Sequence, residues 1–275
     1  MTTTAPVPRL VATDLDGTLV RSDNTVSAYT QQVLAVLDER DVPVVFVTGR
    51  PLRWAEDVFD HVGRHGLAVI SNGALVWDVA GDRPVALRGI EPEVGLEVAE
   101  RIRTAVPGSA FAIETLAGTS LEPQYLERHP VPPGSRRAPI AELLTEPVLK
   151  LMARHEELGY QEFWDQAADA VGGLAVITWS STSAMLEISA AGVTKATTLA
   201  VLCEDLGVEA AEVIAFGDMP NDIAMLTWAG TSYAMADAHP TVIDAATHLA
   251  PSNDEDGVAR VLASVFGLEP APVVE

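Results

Sequence analysis

Positive charge, cysteine and long apolar runs are all scarce in this chain. Its 275 residues carry 39 acidic and 17 basic side chains, for a net charge of −22. Nucleic acids and anionic membranes bind positively charged faces, so this balance argues against both as partners. The single cysteine, Cys203, excludes an internal disulfide and suits a reducing compartment. Without a signal-peptide core or a membrane-length apolar run, we expect a cytoplasmic protein, as a monomer or homodimer.

Apolar residues are nevertheless plentiful, and they occur in short runs. They make up 48% of the sequence, enough for one large core or two moderate ones. Strand-like apolar runs alternate with segments of helical periodicity, and the strand-like runs lie at 9–12, 42–47, 67–70 and 213–216. This alternation predicts an α/β fold whose core is a Rossmann-like parallel sheet.

The middle of the chain has a different character. Between residues 83 and 190, short strand-like runs, among them 85–87 and 174–179, are separated by proline-rich loops and two helix-like stretches. This pattern indicates an α+β domain inserted into the first one. We therefore expect a core formed by residues 1–82 and 191–275, and an inserted domain at 83–190.

Two carboxylates directly follow the first predicted strand. Asp14 and Asp16 are separated by one residue and are followed by Gly17, which allows a sharp turn. Side chains two residues apart in an extended segment point to the same side. Such a pair can share a cation, or one acid can act as a nucleophile while the other carries a proton. An ordinary Asp-Gly turn is the alternative.

Other strand ends carry polar residues as well. Thr48, Gly49 and Arg50 follow the second strand, and Lys195 opens a helix after the middle region. Asp218, Asn221 and Asp222 follow the strand at 213–216, and the spacing of the two acids predicts one turn of helix. The carboxyl ends of parallel strands meet at one edge of a sheet, so these residues should line a single crevice.

In this order the motifs resemble those of haloacid dehalogenase-like phosphatases. The resemblance extends over nearly the whole chain and is closest to the Cof-like sugar-phosphatase branch, which has a large α/β cap between the second and third motifs. It is carried by Asp14-Leu15-Asp16-Gly17-Thr18-Leu19, Thr48-Gly49-Arg50, Asn72-Gly73-Ala74, Gly192-Val193-Thr194-Lys195, Gly217-Asp218-x-x-Asn221-Asp222 and Asp256-Gly257-Val258.

The resemblance implies catalytic and metal-binding roles for the acids. Asp14 would be the nucleophile that forms an aspartyl-phosphate, and Asp16 the general acid and base. A Mg²⁺ cofactor would be held by Asp14, the backbone carbonyl of Asp16, and Asp218, in the oxygen-rich environment that magnesium prefers. Asp222 would bind the metal directly or orient the metal and its water ligands.

The remaining site residues would bind the phosphoryl group or the substrate. Thr48 would offer a hydroxyl, Gly49 a backbone N–H and Lys195 a positive charge. Asn221 would bind phosphate or substrate, and Arg50 would reach the substrate or the cap.

The expected function is therefore Mg²⁺-dependent hydrolysis of phosphomonoesters of small metabolites, with sugar phosphates as the leading substrates and phosphorylated cofactors such as flavin or pyridoxal phosphates as further candidates. A phosphomutase with the same nucleophile is an alternative, and so is a phospholigand-binding protein with little turnover. Asp237 stands where related sequences tend to carry Asn, so the contribution of that loop is open. Arg136 and Arg137 could meet a substrate anion, although a solvated loop is the simpler interpretation.

Overall fold

The computed structural model describes residues 8–62, 66–128, 131–178 and 185–268. The last residue of the strand predicted at 174–179 lies outside these ranges, as do residues 129 and 130 in one of the proline-rich loops.

Strands and helices alternate through much of the described chain, and each type is numbered in chain order. The strands are β1 (Leu10–Thr13), β2 (Val44–Val47), β3 (Leu67–Ile70), β4 (Leu75–Asp78), β5 (Arg83–Leu87), β6 (Ala110–Thr115), β7 (Gly118–Leu121), β8 (Lys150–Arg154), β9 (Ala175–Thr178), β10 (Met185–Ala190), β11 (Val213–Gly217), β12 (Thr231–Met235) and β13 (His248–Ala250). The helices are α1 (Ala28–Glu39), α2 (Leu52–Val62), α3 (Pro92–Ala105), α4 (Ile140–Leu143), α5 (Tyr160–Val171), α6 (Lys195–Leu206), α7 (Ile223–Trp228), α8 (Pro240–Ala245) and α9 (Gly257–Phe266).

The larger sheet has the strand order β13-β12-β11-β1-β2-β3-β4-β5. Neighbours from β13 to β3 run parallel, whereas β4 and β5 are added antiparallel. Every residue of β1, β2 and β11 is buried, which requires cover on both faces of the sheet. One packed group of helices contains α1, α2 and α9, and another contains α6, α7 and α8. This α/β arrangement confirms the predicted fold class.

Strand β5 corrects one detail of the sequence analysis. Residues 83–87 were assigned to the inserted region, but they pair with β4 at the edge of the larger sheet. The cause is local: a tight turn, in which Gly81 N donates to Asp78 Oδ1 at 2.8 Å, returns the chain onto β4 as a hairpin. The division into two domains at 82/83 and 190/191 stays a prediction.

The second sheet is antiparallel, with the order β7-β6-β8-β10-β9. Alternate residues on one of its faces, including Phe111, Leu151 and Leu186, pack with α3 and α5 in a hydrophobic cluster. The opposite face carries Glu114, Lys150, Met152, Arg154 and Glu187, which line a cavity shared with the larger sheet. The inserted α+β region predicted from the sequence is therefore a separate sheet placed over the site.

None of the helices in the described ranges combines the length and the apolarity needed to cross a membrane.

Candidate active site

Asp14 lies one residue beyond β1, at the carboxyl edge of the larger sheet. It is 5% exposed, and its backbone N–H donates to the carbonyl of Phe216 at the end of β11. Gly17 follows in the left-handed region, with φ of 72°. This conformation favours glycine, and a Cβ at Gly17 would also displace the carboxylate of Asp218, which lies directly against it.

Lys195 connects two of the predicted acids. Its Nζ donates to Asp14 Oδ1 and to Asp222 Oδ1, each at 2.6 Å. The side chain reaches this position from the first residue of α6, a helix that begins with a Thr194–Thr197 capping box. Burial by itself would lower the pKa of Lys195, but the carboxylates of Asp14 and Asp222 outweigh it and raise that pKa. The ammonium is therefore charged at neutral pH.

Asp14, Asp218 and Asp222 form a carboxylate cluster. One oxygen from each lies within 4.8 Å of the others. Burial and the charge of Asp222 raise the pKa of Asp218 to about 7. A 3.0 Å hydrogen bond that Thr18 donates to Asp218 lowers this pKa and offsets part of the shift. Burial also raises the pKa of Asp14 well above its usual value; Lys195 opposes this shift and the neighbouring acids add to it.

The charges in this cluster do not balance. Three carboxylates surround one ammonium, so the ionised cluster carries excess negative charge in a buried place. A divalent cation with hard oxygen ligands would compensate this charge, and the donor set fits Mg²⁺. The structure brings together Asp14 and Asp218, two of the metal ligands expected from the sequence, and Asp222 lies beside them.

The reason that Asp218 and Asp222 lie together differs from the prediction. They do not share a helical turn, since α7 begins only at Ile223. Instead, Asp222 Oδ2 accepts hydrogen bonds from the backbone N–H groups of Asp218 and Met219, both at 3.1 Å. The helical interpretation of the i, i+4 spacing was wrong, because a loop and a short 3-10 turn occupy residues 218–222. Asp222 closes that loop while its other oxygen holds Lys195.

The residues that follow β2 lie on the side of Asp14 away from β11. Arg50 forms a two-pronged ion pair with Asp16, with Nε–Oδ2 and Nη2–Oδ1 distances of 2.8 and 2.5 Å. Thr48 is fully buried, and its Oγ1 accepts a hydrogen bond from Arg50 N at 3.0 Å. The Thr48 hydroxyl proton remains available for a further acceptor. Asp16, with a side chain 58% exposed, is the accessible member of the acid pair.

A cavity of about 860 Å³ lies between the two sheets. Its lining includes six of the predicted site residues, which are Asp14, Asp16, Gly49, Arg50, Asp218 and Asn221. Asp14 and Asp16 thus face the same space, as their spacing predicts. The other predicted residues are buried beside the lining, where Lys195 holds Asp14, Asp222 holds Lys195, and Thr48 binds the backbone of Arg50.

Sequence reasoning missed the polar residues that the second sheet contributes. Lys150 Nζ donates to the carbonyl of Gly49 at 2.6 Å and to Glu187 Oε1 at 2.8 Å. Glu187 Oε2 accepts from Asn72 Nδ2 at 2.7 Å, and Asn72 Oδ1 accepts from Asn221 at 3.0 Å. This chain of contacts links the second sheet to the ends of β2, β3 and β11.

A second link joins Arg53, in α2, to the buried Glu114 of β6. Glu114 also accepts a hydrogen bond from Thr119 at 2.7 Å. The available signal in the sequence was the pair of basic residues Lys150 and Arg154, which fall on the same face of a strand as Met152. In an isolated strand, two such basic residues equally indicate a face exposed to solvent.

Three further residues singled out in the sequence lie away from the cavity. Asp237 is exposed to solvent, and so are Arg136 and Arg137. None of the three lines the cavity formed by the described residues. Arg136 accords with the simpler interpretation as part of a solvated loop, whereas Arg137 donates hydrogen bonds to the carbonyl oxygens of Glu122 and Tyr125, both at 3.3 Å.

The sequence model of haloacid dehalogenase-like hydrolases matches residues 11–262, nearly the entire chain. The protein is a haloacid dehalogenase-like hydrolase. The match includes the acidic motif after β1, the Lys195 helix and the acids after β11. The resemblance inferred from the motifs is confirmed.

Relatives of this hydrolase align with it from end to end. A 5-amino-6-(5-phospho-D-ribitylamino)uracil phosphatase of Bacillus subtilis is 26% identical over 95% of this chain and 98% of its own length. A phosphoglycolate phosphatase of Methanopyrus kandleri is 27% identical over 94% and 97%. The crystal structure of SMU.1108c from Streptococcus mutans UA159 superposes with a TM-score of 0.84, at 26% identity, over 94% of this chain and 99% of that one. The hydrolase is a phosphatase.

Proposed function

We propose that this phosphatase hydrolyses phosphate monoesters of small metabolites, with sugar phosphates as the leading class, through a phosphoryl group transferred to Asp14. The observation that carries the proposal is the pair of 2.6 Å contacts from Lys195 to Asp14 and Asp222. These contacts hold a carboxylate oxygen at the floor of the cavity, beside an ammonium that can also attract phosphoryl oxygens.

Mg²⁺ is the proposed cofactor. Asp14, Asp218 and the backbone carbonyl of Asp16 would hold it, while Asp222 fixes the loop that carries Asp218. When bound, the ion neutralises negative charge on the phosphoryl oxygens and on the acid cluster. The raised pKa values of Asp14 and Asp218 support this assignment, since they reflect buried carboxylates that lack sufficient positive charge.

The first half-reaction begins with attack of an Asp14 carboxylate oxygen on phosphorus. The new O–P bond forms as the bond from phosphorus to the substrate oxygen breaks. Asp16, in its protonated form, donates a proton to that departing oxygen and becomes a carboxylate. Because Arg50 binds both oxygens of Asp16 in the described geometry, Asp16 must release Arg50 before it can act.

The second half-reaction regenerates the enzyme. The Asp16 carboxylate takes a proton from water as the water oxygen attacks phosphorus, and the bond to Asp14 breaks to release inorganic phosphate. Thr48 would donate its hydroxyl, Gly49 its backbone N–H and Lys195 its ammonium to the phosphoryl oxygens. These donors would surround the phosphoryl group on several sides, which suits its in-line transfer between two oxygen atoms.

The second sheet, as a cap, would select the leaving group. We assign this role to the inserted region because its inner face lines the cavity opposite Asp14, and because Lys150 bonds directly to Gly49. Closure of the cap over the site would exclude water from the phosphorylated Asp14 until the dephosphorylated product leaves the cavity.

The decisive experiment measures phosphate release from a panel of phosphorylated metabolites, with Mg²⁺ and after its removal by a chelator. The panel should include 5-amino-6-(5-phospho-D-ribitylamino)uracil and phosphoglycolate, the compounds that two relatives are named for. We expect Mg²⁺-dependent turnover of at least one compound, without any requirement for a bisphosphate. A need for a bisphosphate would favour a phosphomutase, and binding without turnover would favour a phospholigand-binding protein.

A further inference from the structure

Lys150 and Glu187 form an ion pair between neighbouring strands of the second sheet, with a distance of 2.8 Å from Nζ to Oε1. Both residues are buried, at 3% and 5% exposure. A buried ion pair stabilises a fold little better than apolar side chains of the same size, so stability alone does not account for this one. Each member also makes a second contact, and both of these contacts leave the second sheet for loops of the larger one.

The contact made by Lys150 reaches the hydroxyl of Thr48 through one peptide unit. Lys150 Nζ donates to the carbonyl oxygen of Gly49 at 2.6 Å. The same peptide unit contains the N–H of Arg50, which donates to Thr48 Oγ1 at 3.0 Å. A cation at the carbonyl end polarises the peptide unit and strengthens the hydrogen bond at its N–H end. Since Thr48 Oγ1 accepts there, its own proton is directed to another acceptor, which in the proposed reaction is a phosphoryl oxygen.

The contact made by Glu187 reaches the loop that follows β11. Its Oε2 accepts from Asn72 Nδ2 at 2.7 Å, so the amide oxygen of Asn72 faces the other way and accepts from Asn221 Nδ2 at 3.0 Å. Asn72 and the preceding Ser71 both have left-handed backbone, with φ of 57° and 51°. Such conformations are costly for residues other than glycine and persist where their surroundings enforce them. The amide of Asn221 is thereby oriented in the loop that also carries Asp218.

The two sets of contacts converge on Gly49. A Cβ on Gly49 would lie 3.0 Å from Asn72 Oδ1 and 3.5 Å from both Asn221 Nδ2 and Glu187 Oε2. Glycine therefore leaves room for the amides to pack against the backbone whose carbonyl accepts from Lys150. The backbone of Gly49, which carries the proposed N–H donor to the phosphoryl group, is held on two sides.

Direct contact with the leaving group is the alternative role for this ion pair, since both residues line the cavity. The geometry argues against it. Lys150 Nζ already donates to two acceptors of the protein, and each oxygen of Glu187 already accepts from a protein donor. A leaving group that used either side chain would have to replace one of these short, buried contacts.

We propose that Lys150 is a positioning residue for phosphoryl transfer, acting through the Gly49 peptide on the hydroxyl of Thr48. Together with Glu187 it couples the placement of the second sheet to the order of the loops after β2 and β11. The second sheet then assists the chemistry of every substrate equally, in addition to selecting among leaving groups. This inference rests on the proposed phosphatase function.

The test separates positioning from stability by removing the ion pair in two steps. Lys150→Met leaves Glu187 buried without its cation and should lower both Tm and activity. Adding Glu187→Gln removes that charge and keeps an acceptor for Asn72, so most of the Tm should return. Activity should not return: we expect kcat/KM to stay at least tenfold below that of the unmodified enzyme. The loss should be the same within threefold for p-nitrophenyl phosphate and for the best metabolite of the panel.

The matched control is the double variant Arg103→Met/Glu122→Gln. It removes another ion pair of the inserted region, in which Arg103 Nη2 lies 2.7 Å from an oxygen of the buried Glu122. Neither residue lines the cavity formed by the described residues, so activity below the Tm should stay within twofold. Activity that returns with the Tm in Lys150→Met/Glu187→Gln would give Lys150 a structural role and overturn the inference. A loss that differs more than threefold between the two substrates would assign Lys150 to the leaving group and also overturn it.

Lys150→Gln is a second variant for use if Lys150→Met/Glu187→Gln does not fold. Its amide nitrogen is one bond closer to the backbone than Lys150 Nζ and carries no charge. It keeps a donor for Glu187 but does not reproduce the charged contact with Gly49. The same uniform loss of at least tenfold is expected, and full activity in this variant would overturn the inference.

Binding of inorganic phosphate distinguishes this inference from the phosphatase proposal. Calorimetry in the presence of Mg²⁺ requires no turnover, and Lys150→Met/Glu187→Gln should weaken phosphate binding at least tenfold, whereas Arg103→Met/Glu122→Gln should not. If every phosphate ester proves inert while this difference persists, the phosphatase proposal fails and the positioning role of Lys150 stands. An unchanged affinity for phosphate would overturn the positioning role, even with turnover in the unmodified enzyme.

Discussion

Lys195 Nζ lies 2.6 Å from a carboxylate oxygen of Asp14 and 2.6 Å from one of Asp222. Asp14 directly follows β1, Lys195 opens α6 and Asp222 lies in the loop after β11, so the contact fixes three separate elements around one buried charge. The same contact orients Asp14 toward the cavity, which makes it the most informative place to perturb both stability and activity.

Asp14→Asn should abolish turnover without unfolding the protein. The amide is nearly the same size but cannot form a stable bond to the phosphoryl group, so we expect kcat to fall at least a thousandfold, equivalent to about 4 kcal/mol of barrier. Phosphate release is the measurement, with circular dichroism as the check on folding. Asp237→Asn, an identical change at an exposed site, is the control and should retain full activity. Loss of less than tenfold in Asp14→Asn would remove Asp14 as the nucleophile.

Lys195→Met should lower stability as well as activity. It leaves two buried carboxylates without their common cation, a change that typically costs about 3–5 kcal/mol. Thermal melting without metal should therefore show a Tm decrease of roughly 10 °C. Arg101→Met is the matched control, because Arg101 pairs with Glu97 on the surface and its loss should change stability by less than about 1 kcal/mol. Similar decreases in the two variants would contradict the bridging role of Lys195.

Asp16→Asn should affect substrates according to their leaving groups. An aryl phosphate departs as a stable phenolate, whereas a sugar alkoxide needs a proton as it leaves. In single-turnover measurements of Asp14 phosphorylation, we expect the sugar phosphate to lose at least tenfold more rate than the aryl phosphate. Steady-state rates are less informative because dephosphorylation also uses Asp16. Equal losses in the phosphorylation step would exclude Asp16 as the general acid.

The raised pKa of Asp218 predicts how stability depends on pH without metal. Its pKa is about 7 in the folded protein against 3.8 ordinarily, so the folded state binds this proton more tightly than the unfolded state. The contribution of Asp218 to the free energy of unfolding therefore decreases as pH rises from about 4 to 7, and it levels off above pH 7. Comparison of Tm values for the unmodified protein and Asp218→Asn across this range isolates that contribution.

Mg²⁺ should counteract this loss of stability at higher pH, because it competes with the proton for the same carboxylates. The Tm increase produced by Mg²⁺ should grow with pH up to about 7 and should be small in Asp218→Asn. Asp237→Asn should behave like the unmodified protein in both respects. A Mg²⁺ effect independent of pH would place the metal away from Asp218.

The sequence predicted the core sheet and the grouping of polar residues at its edge, for identifiable reasons. The buried strands β1, β2 and β11 are apolar runs in the sequence. Each is followed by polar residues, and the parallel sheet places these residues together at its carboxyl edge. The spacing of Asp218 and Asp222 was misread, since i, i+4 is also the spacing at which a carboxylate can close a loop. The hairpin that holds β5 in the larger sheet depends on a turn whose effect appears only when β4 is present as a partner.

The cavity-facing residues of the second sheet could not be predicted from the sequence in the same way. Lys150, Met152 and Arg154 alternate with buried apolar residues, and any half-exposed strand shows this pattern. Only the position of the second sheet over the first turns these side chains inward.

Lys150 and Lys195 are the only two lysines among the 275 residues. Both are buried, at 3% and 1% exposure, and both are engaged in ion pairs beside the site. Within these 275 residues the folded enzyme therefore offers amine-reactive reagents, such as a succinimidyl ester, no exposed lysine. Slow labelling of Lys150 or Lys195, read by peptide mass mapping, would then report the opening of the cap or the loss of the acid cluster.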